Sequence, residues 1–275
     1  MLGQNTRVHE SLLKVLEIGN ARVEIHSSVA ALGEAAAAQT ARLIAGAIAA
    51  RGHARIIVAT GNSQLAFISA LMKRRDVEWG RVEAFHMDEY VGIRKDHPAS
   101  FRLWLRTRVD EKSALGDMHY IDGDASDLSG EIARYTQLLT AKPIDIAFVG
   151  FGENGHIAFN DPPVADFRDP ATLKIVTLDE ACRRQQVGEG HFKDMDSVPK
   201  QALTITCPGL FRAAAWVCCV PEARKAKAVR GALEGPITTE CPASIVRTHP
   251  QPFVYLDQDS AALLGNGPKK HSYYS

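Results

Sequence analysis

The chain has 275 residues, of which 45% are hydrophobic and 23% are charged, and its formal net charge is zero. This length fits one large domain or two small ones, and the composition is that of an ordinary globular enzyme. The neutral balance gives no indication of a nucleic-acid or membrane partner. The sequence lacks both the run of about 20 apolar residues that a membrane span requires and an apolar secretory signal, so we expect a cytoplasmic protein.

The five cysteines indicate neither a metal site nor a disulfide framework. Their number is odd, no CxxC spacing occurs, and HExxH and paired-histidine motifs are missing from the sequence as well. Reduced cysteines agree with a cytoplasmic location. The five are Cys182, Cys207, Cys218, Cys219 and Cys241.

Helical and strand-like segments alternate along the chain. Residues 27–51 have an alanine-rich helical pattern, with Ser27 or Ser28 as the N-cap and Gly52 at the end. Strands are predicted at residues 54–60, 81–87, 144–150, 214–220, 244–249 and 252–257. Further helices are predicted at residues 64–74 and 99–108, in a segment that begins at Ser129 as the cap and ends at Thr140, and at residues 222–233.

This alternation predicts an α/β fold with a Rossmann-like, mostly parallel sheet and helices on both faces. Residues 1–22 are expected to form a peripheral N-terminal extension, and residues 23–275 a single domain. In open sheets of this kind, ligands bind outside the carboxyl ends of the strands. The loops that follow the apolar segments are therefore the places where chemistry is expected.

The first such loop contains Thr60, Gly61, Asn62 and Ser63, between a strand and a helix. Gly61 permits a tight turn with positive φ. Free N–H groups at the start of a helix suit a phosphate, and the hydroxyls of Thr60 and Ser63 add donors. Because the loop has neither a GxGxxG nor a Walker pattern, an ordinary strand-to-helix turn is the alternative interpretation.

In the second loop, Asp88 and Glu89 follow an apolar strand. Neighbouring side chains of an extended segment point to opposite sides, so one carboxylate can enter a cleft while the other pairs elsewhere. A carboxylate in a dry cleft is suited to general-base catalysis. A solvated acidic turn is the alternative interpretation.

The third loop, residues 150–163, is rich in glycine. Gly150, Gly152 and Gly155 allow the backbone to pass close to a ligand. His156 is the best candidate in the chain for proton transfer near neutral pH, with a structural histidine as the alternative. Asp161 is near enough in the sequence to orient the imidazole if the segment folds back.

Together these loops resemble the glucosamine-6-phosphate deaminase/isomerase family, over residues 23–264. The most specific segments are FHMDEYVG with HPASF, then GFGENGHIAFNDP, VPKQALTIT and ARKAKAV, in the family's order. The resemblance implies an enzyme that needs no metal and no organic cofactor. It also implies a sugar-phosphate substrate, first of all glucosamine 6-phosphate, which reacts with water to give fructose 6-phosphate and ammonia.

The resemblance assigns roles to individual residues. Asp88 would move a proton between C2 and C1 of the sugar, and His156 with Asp161 would assist opening of the pyranose ring. Asn154 belongs to the same catalytic segment. The sugar phosphate would be bound by Thr60, Gly61, Asn62, Ser63, Gly150, Gly152 and Lys225; without the resemblance, Lys225 would be interpreted as a surface lysine.

Three features depart from the family's pattern. Asn154 stands where many members have Asp and cannot titrate, although some members also have Asn there. Asp161 replaces a Glu and is one methylene shorter, which can lower the rate or alter the fit of the substrate. Residues 164–192 lack a clear counterpart of an arginine that grips the phosphate in relatives, and the candidate replacements are Arg183, Arg184 and His191.

Alternatives to this function stay open. They are a galactosamine-6-phosphate deaminase/isomerase, a 6-phosphogluconolactonase, which has a similar fold and phosphate loop but needs no C2 base, and a sugar-phosphate-binding module without catalysis. Because Ile175 and Val176 follow Lys174, the basic pair of allosteric members is incomplete, and we expect no activation by N-acetylglucosamine 6-phosphate. A homo-oligomer is expected only on general grounds.

Overall fold

The structure, a computed structural model, describes residues 11–188, 190 and 192–265. Its strands are β1 (Leu12–Ile18), β2 (Ala21–His26), β3 (Ala54–Val58), β4 (Val82–His86), β5 (Asp88–Tyr90), β6 (Asp117–His119), β7 (Ile146–Val149), β8 (Leu173–Thr177), β9 (Gln201–Ile205), β10 (Ala215–Val220) and β11 (Pro252–Asp257). Its α-helices are α1 (Val29–Arg51), α2 (Leu65–Met72), α3 (Phe101–Arg108), α4 (Leu128–Thr140), α5 (Glu180–Gly188), α6 (Cys207–Phe211) and α7 (Ala226–Glu234). Among these helices none combines the length and the apolar character needed to cross a membrane.

Eight of the strands form a central sheet in the order β1-β2-β11-β10-β7-β3-β4-β6. All neighbouring strands are parallel except β1 and β2, which pair antiparallel at one edge. Strands β3, β7 and β10 are buried along their whole length, as expected for parallel strands covered on both faces. The predicted α/β class with a mostly parallel sheet is confirmed.

The start of the described chain is part of this sheet. The predicted boundary between residues 22 and 23 falls inside β2, which pairs with β11 in parallel register, Val23 opposite Val254. Residues 12–22 therefore belong to the edge hairpin formed by β1 and β2 rather than to a peripheral extension, whereas residues 1–10 lie outside the described residues. That residues 23–275 form a single domain stays a prediction.

Local signals correctly predicted the first helix and failed at two other places. Ser28 caps α1, accepting a hydrogen bond from the Ala31 N–H at 3.2 Å, and Gly52 ends it. Helix α4 is capped by Asp127 rather than by the predicted Ser129, because the Asp127 carboxylate accepts the Gly130 N–H. The predicted strand at 244–249 is wrong: Pro242–Thr248 is a 3₁₀ helix, buried over its first five residues. An apolar run of this length does not distinguish a strand from a buried helix.

A second, smaller sheet has the order β5-β9-β8 and is antiparallel. Strand β5 begins two residues after β4 ends, so the chain leaves the central sheet and enters the small sheet at once. None of its three strands was predicted. This sheet lies at the carboxyl end of β4, where the general rule for open sheets expects the ligand.

Candidate active site

One cavity at the carboxyl ends of the central strands joins the three predicted loops. Its lining includes Thr60, Gly61, Asn62, Ser63, Asp88, Gly150, Gly152, His156 and Lys225. All the predicted phosphate-binding residues are thus in one place with two of the predicted catalytic residues. The other two, Asn154 and Asp161, are not among the lining residues and instead contact His156.

The loop after β3 has the conformation that its glycine predicts. Gly61 has φ +97°, a region that favours glycine, and it precedes a 3₁₀ turn, Asn62–Gln64, that continues into α2. Gln64, which the sequence reasoning missed, fastens this loop: its buried Nε2 donates to the carbonyl of Cys219 in β10 and to Ser63 Oγ, both at 3.2 Å. The start of the turn has no side-chain cap, which suits an anion.

Strand β5 separates the two adjacent acids, as expected from the alternation of an extended chain. Asp88 pairs with Thr204 of β9 and presents its side chain to the cavity, whereas Glu89 turns to the beginning of α3. Asp88 is 6% exposed, and among the described residues its carboxylate accepts no hydrogen bond. Burial, helped by the charge of Glu89, raises the pKa of Asp88 to about 8.

Glu89 is fully buried and caps the N-terminus of α3 from the neighbouring strand β5. Its carboxylate accepts the N–H groups of Phe101 at 3.2 Å and Arg102 at 2.9 Å, and the hydroxyl of Ser100 at 2.7 Å. It also accepts the N–H of Tyr90 at 3.0 Å. Burial raises the pKa of Glu89 although these donors favour the charged form. The HPASF motif thus supplies two of the four donors, Ser100 and Phe101, that hold the second acid away from the cavity.

His156, Asp161 and Asn154 form a connected polar group. Nδ1 of His156 lies 2.9 Å from Oδ1 of Asp161, so the shorter acid still reaches the imidazole. Nδ2 of Asn154 donates to the same Oδ1 at 2.8 Å, and its Oδ1 accepts the N–H of His156 at 3.1 Å. Burial raises the pKa of Asp161, but His156 and Asn154 outweigh it, so this pKa lies below its usual value. An amide at position 154 can donate to the Asp161 carboxylate, as a carboxylate could not.

Gly152 makes room for the imidazole. A Cβ at this position would lie 2.2 Å from Cε1 of His156, so any side chain would displace the ring. Gly155 has a different function: it is not in the cavity lining, and a Cβ there would meet Sγ of Cys241 at 2.6 Å. Of the three glycines, only Gly150 and Gly152 border the space for a ligand.

Cys182 joins this group from α5, and no sequence signal indicated it. Ligand-type atoms of His156, Asp161 and Cys182 lie within 4.8 Å of one another, so these three could in principle hold a metal ion. Burial and the nearby Asp161 raise the pKa of the Cys182 thiol well above its usual value. The neutral thiol is a hydrogen-bond partner of Asp161.

Lys225 is buried, at 3% exposure, which is contrary to its interpretation as a surface lysine. It lies at the end of a short 3₁₀ helix, Ala223–Lys225, directly after β10. The preceding Glu222 has φ +81°, and its N–H is held by both carboxylate oxygens of Asp257 at 3.2 Å. This strained turn brings the lysine back into the cavity instead of into solvent.

The candidate replacements for the family's phosphate-binding arginine do not line the cavity. A guanidinium nitrogen of Arg183 donates to the carbonyls of Met195 and Val198. Arg184 is exposed and pairs with Glu180 at 2.9 Å. His191 lies outside the described residues. The same helix, α5, contributes Gln186 to the lining instead.

Comparisons with known proteins show the family to which the chain belongs. The family model described as glucosamine-6-phosphate isomerases/6-phosphogluconolactonase matches residues 27–254. The glucosamine-6-phosphate deaminase of Listeria welshimeri is 32% identical over 207 residues, 75% of this chain and 86% of the relative. That of Lactobacillus delbrueckii subsp. bulgaricus is 30% identical, with the same coverage.

Solved structures give the same result. A monomeric glucosamine-6-phosphate deaminase superposes with a TM-score of 0.80 at 29% identity, over 88% of this chain and 99% of that one. A 6-phosphogluconolactonase from Shewanella baltica, 17% identical, has a TM-score of 0.71 over 86% of this chain and 96% of its own, a likeness of fold alone. With most of its length matched by the family model, the chain belongs to the glucosamine-6-phosphate isomerase/6-phosphogluconolactonase family of enzymes.

Proposed function

We propose that this chain deaminates and isomerises glucosamine 6-phosphate, which reacts with water to give fructose 6-phosphate and ammonia. The observation that supports this most is the composition of one cavity: a dry carboxyl group, an imidazole and a buried ammonium group beside a loop of hydroxyls. The deaminases among the relatives point to the same reaction. No organic cofactor is needed, because the sugar's own carbonyl accepts the electrons.

The first step is opening of the pyranose ring. His156 passes a proton to the ring oxygen as the C1–O bond breaks, and the imidazole then takes up the proton that the C1 hydroxyl releases as the aldehyde forms. Asp161 orients the imidazole through Nδ1, which leaves Nε2 for the sugar. A positioned acid–base group of this kind contributes about 10²- to 10⁴-fold in rate.

The second step is proton transfer along the open chain. The aldehyde acidifies the C2–H, Asp88 removes this proton, and an enolamine forms. Asp88 then returns the proton to C1, water adds to C2, and ammonia leaves. A raised pKa makes Asp88 a stronger base than an ordinary carboxylate and a competent acid for the return of the proton.

One assay separates this function from its alternatives. Ammonia release from glucosamine 6-phosphate should exceed release from galactosamine 6-phosphate, and 6-phosphogluconolactone should not be hydrolysed above the spontaneous rate. Hydrolysis of the lactone without ammonia release would contradict the proposal and favour the lactonase. Binding of sugar phosphates without turnover of any of the three would favour a binding module.

The buried cation is expected to bind the phosphate. Replacement of Lys225 by Met should raise KM by about 10- to 150-fold, because a charge-assisted hydrogen bond is lost, while kcat changes much less. Steady-state kinetics measure this, with Lys227→Met, an exposed lysine two residues further on in the first turn of α7, as the matched control. An unchanged KM in the Lys225 variant would remove this residue from the phosphate site.

Three properties outside the cavity stay predictions. The cytoplasmic location agrees with five free cysteines, and a homo-oligomer can be tested by sedimentation. Lys174 forms an ion pair with Asp169 at 2.7 Å. Because its charge is already paired, this supports the expectation of no activation by N-acetylglucosamine 6-phosphate. A sigmoidal rate curve that this effector makes hyperbolic would contradict that expectation.

A further inference from the structure

Helix α5 forms part of the wall of the cavity, although its sequence lies in the segment that departs from the family's pattern. Cys182 and Gln186 are four residues apart and therefore lie on one face of this helix. Cys182 contacts Asp161, and Gln186 lines the cavity itself, with only 7% exposure. A single helix face thus contacts the polar group of His156, Asp161 and Asn154 and also lines the cavity.

The side chain of Gln186 is held in place by Tyr90. The phenol hydroxyl donates to Oε1 of Gln186 at 2.7 Å. Tyr90 is fully buried, and its ring packs against Phe101, Phe159 and Phe192 at centroid distances of 5.1, 5.3 and 5.3 Å. A side chain fixed in this way loses little conformational freedom when a ligand binds.

With Oε1 engaged, Nε2 is the group that Gln186 can offer to a ligand. Within the described part of the chain, Nε2 donates to no protein acceptor. A nearly buried donor gains most from an acceptor that arrives with the ligand. Sugar hydroxyls and phosphate oxygens are both acceptors of this kind.

The position of Gln186 favours the hydroxyls. Its partner Tyr90 lies in the same short strand as Asp88, beyond the end of β4, on the aromatic side of the cavity. The phosphate-binding candidates follow other strands: the loop 60–63 follows β3, and Lys225 follows β10. We propose that Gln186 donates from Nε2 to a hydroxyl oxygen of the sugar's carbon chain and so selects polyhydroxylated phosphates; this rests on the proposed function.

Two probes distinguish a contact of Gln186 with the sugar's carbon chain from a contact with the phosphate. Binding of a hexitol 6-phosphate, which has the open chain and the phosphate, and of inorganic phosphate, which has only the latter, is measured calorimetrically without turnover. Gln186→Leu should weaken binding of the hexitol 6-phosphate about ten-fold and leave inorganic phosphate unchanged. Equal weakening of both probes, or of neither, would overturn the inference.

Two further variants keep the result interpretable. Tyr90→Phe removes the hydroxyl that holds Gln186, so it should also weaken binding of the hexitol 6-phosphate. The double variant should bind this probe no more weakly than Gln186→Leu alone. Arg184 is exposed on the same helix, so Arg184→Gln is the control and should change the binding of neither probe. If the unmodified protein binds inorganic phosphate but not the hexitol 6-phosphate, the proposed function fails together with the inference.

Discussion

Replacement of Asp88 by Asn is expected to abolish turnover and at the same time stabilise the fold. The amide cannot take the C2 proton, so kcat for deamination should fall at least about 10³-fold. The stabilisation follows from burial. The pKa of Asp88 is about 8 in the folded protein, against about 3.9 in an unfolded chain. Between these values the folded state binds a proton that the unfolded state does not, and the stability of the fold decreases as the pH rises.

The gain in stability should therefore depend on pH. At pH 8.5 the Asn variant should unfold with a free energy about 2–5 kcal/mol larger than the unmodified protein, and near pH 4 the two should be almost equal. Urea denaturation at both pH values measures this. If the variant were stabilised equally at both pH values, or were less stable than the unmodified protein at pH 8.5, the pKa of Asp88 would not be raised by burial. Retained ammonia release would show that it is not the base.

Removal of Glu89 is expected to cause the largest loss of stability at the site. Glu89→Ala leaves three backbone N–H groups and the Ser100 hydroxyl without their acceptor, and Arg102 without the carboxylate 3.6 Å from its Nε. Since four buried donors lose their acceptor, and Arg102 loses one of its three carboxylate partners while keeping Asp122 and Asp124, the free energy of unfolding should fall by about 3–5 kcal/mol. Chemical denaturation measures it, with the exposed Glu78→Gln as the control.

The more conservative Glu89→Gln variant separates structure from electrostatics. It keeps the shape and one acceptor oxygen, so its loss of stability should be smaller than that of Glu89→Ala. It removes a charge that helps to raise the pKa of Asp88. The free enzyme needs Asp88 ionised, so the acidic limb of kcat/KM should lie near pH 8 in the unmodified protein and move to lower pH in this variant. Because burial is the larger cause of the raised pKa, the limb should move only part of the way to an ordinary carboxylate. An unmoved limb would mean that Glu89 does not influence the base.

Local sequence patterns determined the parts of this protein that depend on near neighbours in the chain. The apolar runs of β3, β4, β7, β10 and β11 predicted the parallel sheet, and the rule for carboxyl ends then selected three loops that do meet in one cavity. The turn at Gly61 and the opposite directions of Asp88 and Glu89 were also predictable, because positive φ and strand alternation are local properties.

Tertiary structure alone decided the features that depend on distant partners. The strained turn at Glu222, held by Asp257, buries a lysine that looks exposed in the sequence, and the first turn of α3 captures Glu89. Helix α5 brings Cys182 and Gln186 to the cavity from a segment without recognisable motifs. Sequence spacing fixes which residues share a helix face or a strand side, but only packing between separate elements determines what each face contacts.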